Sequence, residues 1–137
     1  MAQMTRADDK TYLQQYGDQL NDTTRRAKWI GSTSEHEGHP GQTLAARDHD
    51  VIKQWAEERG AVPAGIEGSE HGGRPGVLRF DFPGYEQQQS GRLQSVDWDK
   101  WFESFDQRDL VFLYQEHLKN GNQSNFFKFD SPHREQG

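Results

Sequence analysis

The sequence predicts an α+β fold: a four-stranded, mainly antiparallel sheet with two helices on one face, in the order α-β-β-α-β-β, preceded by a loosely ordered N-terminal segment. Three observations lead there. Trp98, Trp101, Phe102 and Phe105 recur at the spacing of one helical face. Leu78, Phe80 and Phe82 alternate with Val77, Arg79 and Asp81, as in a strand with one side in water. Leu110-Val111-Phe112-Leu113-Tyr114 is a dense apolar run, too short for a helix and rich in β-formers, and reads as a central strand.

Residues 1–43 are expected to form an arm and linker, partly flexible, ahead of an α+β domain over residues 44–131 and a tail over 132–137. Within the arm, Tyr12, Leu13, Tyr16 and Leu20 suit a short amphipathic helix from Asp9 to Leu20, weakened at Gly17 by about 1 kcal/mol relative to alanine. Gly31 to Gln42 carries turn formers and no apolar side chain, so it reads as a linker or long loop. Asp48 to Gly60 is the first helix of the domain. Val51, Ile52, Trp55 and Ala56 make its stripe, Asp48 or Asp50 caps it, and Gly60 with Pro63 stops it.

A strand follows from Val62 to Ile66. The glycine-rich stretch Glu67 to Gly76 lacks the Lys-Ser/Thr end of a phosphate-binding loop and carries Glu67 and Glu70, so it reads as a flexible hairpin connection. The alternating strand ends at Pro83-Gly84, and Tyr85 to Ser95, with Gln87, Gln88 and Gln89, is a polar crossing. Asp97 is placed to cap the aromatic helix. Asn120-Gly121-Asn122 supplies a turn after the central strand, and the chain returns through Phe126, Phe127 and Phe129 as a hairpin expected to share one core with that helix.

Composition narrows the function classes. A chain of 137 residues fits one domain. Its hydrophobic fraction of 31% and mean hydropathy of −1.13 are low for a globule, but the apolar residues concentrate after position 50. A net charge of −6 disfavours uniform attraction to nucleic-acid phosphates or anionic lipid. The absence of cysteine excludes disulfides and thiolate chemistry. With no long apolar run and no hydrophobic signal core after Met1, a soluble cytoplasmic protein is expected.

Three groups of side chains are candidates for function. Arg25, Arg26 and Lys28 beside Trp29 form a basic and aromatic cluster suited to a partner or nucleic-acid contact, with Arg74 and Arg79 as candidate helpers. His36 and His39, near Glu35 and Glu37 and upstream of Asp48, His49 and Asp50, are candidate ligands of a divalent metal, although they do not form the H-E-x-x-H pattern. Glu57, Glu58, Arg79, Asp81, Glu116 and His117 are the polar residues nearest the expected core, and paired carboxylates there suit acid and base work.

The runs Arg26-Ala-Lys-Trp29, His39-Pro-Gly-Gln-Thr-Leu-Ala45, Trp55-Ala-Glu-Glu-Arg-Gly-Ala61, Arg74 to Tyr85 and Trp98-Asp-Lys-Trp-Phe102 resemble a family of small soluble bacterial proteins with no established activity. The resemblance covers nearly the whole chain and brings no catalytic or binding residues. Some relatives bear a glucan-branching-enzyme label, but that chemistry is associated with a barrel of about 250 residues. With no nucleophile motif, P-loop or dinucleotide fingerprint, the sequence favours a non-enzymatic interaction or accessory protein with a protein partner and no cofactor. A small-ligand-binding domain or small enzyme, and a nucleic-acid binder, are the alternatives.

Overall fold

A computed structural model describes residues 6–66, 68, 76–83 and 93–133. Its elements are α1 (Arg6–Tyr16), a 3-10 turn (Gly17–Gln19), α2 (Asp22–Arg26), β1 (Lys28–Trp29), β2 (Leu44–Ala46), α3 (His49–Glu58), β3 (Val62–Ile66), β4 (Leu78–Asp81), β5 (Leu93–Ser95), α4 (Trp98–Gln107), β6 (Val111–Tyr114) and β7 (Phe127–Asp130). The class is α+β, as expected. The chain divides into two compact units, one made of residues 1–55 and 109–137 and the other of residues 56–108.

The first unit contains a four-stranded sheet ordered β1-β2-β6-β7. β1 and β2 run parallel, while β2 with β6 and β6 with β7 are antiparallel. β6 is central and every one of its residues is buried. Alternation explains that continuous apolar run, because successive side chains point to opposite faces and both faces are covered. Val111 and Leu113 join Tyr12, Leu20 and Ala45 in one cluster, against which Leu13, Tyr16, Ala27 and Trp29 pack. Phe112 and Tyr114 meet the Trp55 ring, at centroid distances of 5.3 and 6.3 Å. Trp55 Nε1 also donates to the Gln115 carbonyl at 2.9 Å.

The second unit contains a three-stranded sheet ordered β4-β3-β5, antiparallel throughout. The alternation of Leu78, Phe80 and Phe82 inward with Arg79 outward is as expected. Phe80 stacks on Trp101 at 5.0 Å, and Trp101 stacks on Phe105 at 5.7 Å. Asp97 caps α4 by accepting from the Lys100 amide at 2.9 Å. α3 crosses from the first unit into the second. It starts with Asp48 Oδ1 accepting from the Val51 amide at 3.1 Å, and ends with Ala61 donating to Ala56 and Gly60 to Glu57. That pair of bonds is the Schellman arrangement, and Gly60 supplies its left-handed residue at φ 68°.

The expected arrangement of sheet and helices is corrected. In place of one four-stranded sheet with two helices in α-β-β-α-β-β order, there are two sheets and four α-helices among the described residues. The cause is local. β1 and β2 are two and three residues long, too short to show a period, yet they complete the sheet on β6. Within the stretch 1–43, expected as an arm and linker, Tyr12, Leu20, Thr24 and Ile30 are buried. The aromatic helix α4 falls in the second unit and the β6–β7 hairpin in the first. The expected glycine-rich loop (apart from Gly68 and Gly76) and residues 85–92 of the polar crossing lie outside the described residues, as do residues 1–5, Gly84 and residues 134–137. No helix among the described residues is long and apolar enough to cross a membrane.

Candidate metal site

Two segments meet beside the central strand of the first unit. One is the loop from residue 31 to 43 between β1 and β2, and the other is the connection from residue 115 to 126 between β6 and β7. The loop is anchored at its ends by the parallel pairing of β1 with β2, where the Lys28 amide donates to Thr43 at 3.1 Å and the Ile30 amide to Ala45 at 2.8 Å. It is then drawn onto the connection. The Gly41 amide donates to the His117 carbonyl at 2.9 Å, and Gln115 Nε2 donates to the Gly41 carbonyl at 3.2 Å.

The connection is itself a folded turn. His117 and Gln123 form a bridge, Leu118 and Asn122 are joined through the Leu118 amide at 2.8 Å, and Ser124 Oγ donates to Gln115 Oε1 at 3.0 Å. The expected Asn120-Gly121-Asn122 turn closes it, with the Asn122 amide donating to Asn120 Oδ1 at 2.9 Å.

Docking places Glu37 of the loop against Glu116 and His117 of the turn. One potential ligand atom from each lies within 4.8 Å of the other two. His117 Nδ1 donates to Glu37 Oε2 at 2.5 Å, the Glu37 amide donates to Glu116 Oε1 at 3.3 Å, and His36 Nδ1 donates to Glu116 Oε2 at 3.0 Å. The two carboxylate side chains are largely withdrawn from solvent, with 12% exposure for Glu37 and 19% for Glu116. Glu37 Oε1 is buried and has no hydrogen-bond donor among the described residues. Two carboxylates held this close, one with an oxygen that meets no donor among the described residues, are a donor set that suits a cation.

Of the two histidines singled out in the sequence as metal ligands, His36 lies at this cluster. His39 does not, as its Nδ1 is 3.1 Å from the adjacent Pro40 carbonyl and its side chain is exposed. Asp48 is spent on capping α3, which His49 and Asp50 begin. Glu116 and His117 are among the polar residues that the sequence places near the core, but their partner Glu37 lies about 80 residues upstream, and the contact follows from β2–β6 pairing, which sets Leu44 opposite Tyr114. Glu57, Glu58, Arg79 and Asp81 belong to the second unit, and Arg74 lies outside the described residues.

The basic and aromatic cluster is largely engaged within the fold. Arg25 donates to the carbonyls of Gly17 and Leu20 at 3.0 and 2.5 Å and pairs with Asp22. Lys28 Nζ donates to the His36 carbonyl at 2.7 Å, and Trp29 Nε1 to the Thr24 carbonyl at 3.1 Å. Arg26 is exposed. Comparison of the chain with protein-family models, curated proteins and solved structures returns no match.

Proposed function

We propose that this chain is a non-enzymatic binding or accessory protein, and that its ligand is a divalent transition-metal ion held by Glu37, Glu116 and His117. The observation that carries the reading is the convergence of three ligand atoms from two chain segments within 4.8 Å, in a cluster that includes a buried carboxylate oxygen without a donor. An imidazole among the ligands favours ions of the zinc type over magnesium or calcium, which prefer all-oxygen shells. Two carboxylates supply the two negative charges that such an ion neutralises.

Calorimetric titration of the chelator-stripped protein tests this. Zn2+ is expected to bind with a stoichiometry of one, and Mg2+ in excess is expected not to displace it. Glu37→Gln and Glu116→Gln should each weaken Zn2+ binding by at least about tenfold, a loss at least as large as that on removing an outer-shell partner. Wild-type protein that takes up no Zn2+, or variants that bind it as the wild type does, would remove the proposal.

A further inference from the structure

Resting on that reading, we infer that His36 is a positioning residue of the metal site: it does not reach the ion, and it holds the Glu116 carboxylate in the orientation that binds it. The ligand atoms that lie within 4.8 Å of one another belong to Glu37, Glu116 and His117, which leaves His36 outside the set. Its imidazole meets Glu116, with Nδ1 at 3.0 Å from Oε2. An ionised carboxylate only accepts, so Nδ1 carries the proton. The Glu37 amide donates to the other oxygen, Oε1, at 3.3 Å. Two consecutive residues of the loop thus take one carboxylate oxygen each, and together they set the plane of the carboxylate. Each oxygen keeps a second lone pair for a cation.

His36 is itself held by its surroundings. The Lys28 ammonium, on β1, donates to the His36 carbonyl at 2.7 Å, and two residues on, the Gly38 amide donates to Gln42 Oε1 at 2.6 Å. These bonds fix the backbone from which the imidazole reaches Glu116. Two effects of that contact oppose each other. The donated proton draws charge from Oε2, which makes Glu116 a weaker ligand, while the fixed orientation spares the ion the cost of ordering the side chain. Orientation wins, because removing the hydrogen-bond partner of a metal ligand costs about 10–100-fold in affinity. His36 belongs at the lower end of that range, since its side chain is 59% exposed and water can replace it at Oε2.

Zn2+ titration of the full chain by calorimetry tests this. His36→Ala should bind about tenfold more weakly than the wild type, with an unchanged circular dichroism spectrum. His36→Asn, whose side-chain amide offers a donor near the place of Nδ1, should recover most of that loss. In a Glu116→Ala background, His36→Ala should cost less than about twofold more, because its effect passes through that carboxylate. X-ray absorption at the zinc edge should show the same single imidazole ligand in the wild type and in His36→Ala. Wild-type affinity in His36→Ala overturns the inference. So does a tenfold loss that persists without Glu116, an equal loss in His36→Asn, or an imidazole that leaves the zinc when His36 is removed. If wild-type protein takes up no Zn2+, this inference and the metal-binding reading both fall; if it binds Zn2+ and His36 is silent, only this inference does.

Discussion

Asp130 carries a carboxylate into the interior, where its side chain is held by donors that replace water. Asn21 donates its amide at 2.9 Å, Thr24 its hydroxyl at 2.6 Å and Ser131 its amide at 2.8 Å. The carboxylate thus ties the start of α2 to the edge strand β7. Asp130→Ala strands the buried Thr24 hydroxyl and is expected to lower stability by roughly 2–3 kcal/mol, read from the urea midpoint. A loss below about 0.5 kcal/mol, typical of a surface site, would contradict that account.

Tyr12 makes a pH-dependent contribution. Its hydroxyl donates to the Asp109 carbonyl at 2.5 Å, and the Arg47 guanidinium lies 4.3 Å from its ring centroid. Burial pushes its pKa far above the ordinary tyrosine range, against the opposing pull of Arg47 and with smaller help from Asp109 and Asp130. The folded protein therefore retains a proton that the unfolded chain gives up near pH ~10. The contribution is complete below that pH and declines as pH rises above it, until the folded phenol itself ionises. Tyr12→Phe should be about 1 kcal/mol less stable at neutral pH, through the lost hydrogen bond, yet lose less stability between about pH 10 and 12. Urea midpoints of both proteins across that interval check the crossing slopes.

The elements legible in the sequence are those with enough residues to show a period or a cap. Asp97, Gly60 and the β6 run announced themselves through chemistry confined to a few neighbouring positions. β1 and β2 did not, because two or three residues carry no period and their stability comes from pairing with a strand far along the chain. The docked loop between them shows the same limit. Gly41 adopts φ 87°, and a Cβ there would lie 2.6 Å from Lys119 Cγ, so the close approach of loop and turn depends on glycine. Gly41→Ala is expected to cost about 1–2 kcal/mol from the left-handed backbone and to weaken Zn2+ binding several-fold by lifting Glu37 away from Glu116. Gly17→Ala, at a position with nothing within 4 Å, serves as the control with unchanged binding.

For the molecule as a whole, the candidate site was legible only in pieces. His36, Glu116 and His117 could each be named from the sequence, but Glu37 and His117 are brought together by a unit whose two halves are separated by residues 56–108. Such a unit closes through non-local contacts, and sequence neighbourhood says little about which polar groups meet. The same discontinuity makes a measurable consequence of metal binding. An ion held only by the closed first unit stabilises it by mass action, and at a free concentration of 100 times Kd that amounts to about 2.7 kcal/mol. Amides of β2 and β6, whose exchange requires opening of that unit, should therefore slow by roughly 100-fold on adding Zn2+. Amides of β3 and β4 that exchange through openings confined to residues 56–108 should keep their rates. Hydrogen exchange read by mass spectrometry resolves the two sets, and slowing in β3 and β4 without slowing in β2 and β6 would place the ion outside the loop and turn that carry Glu37, Glu116 and His117.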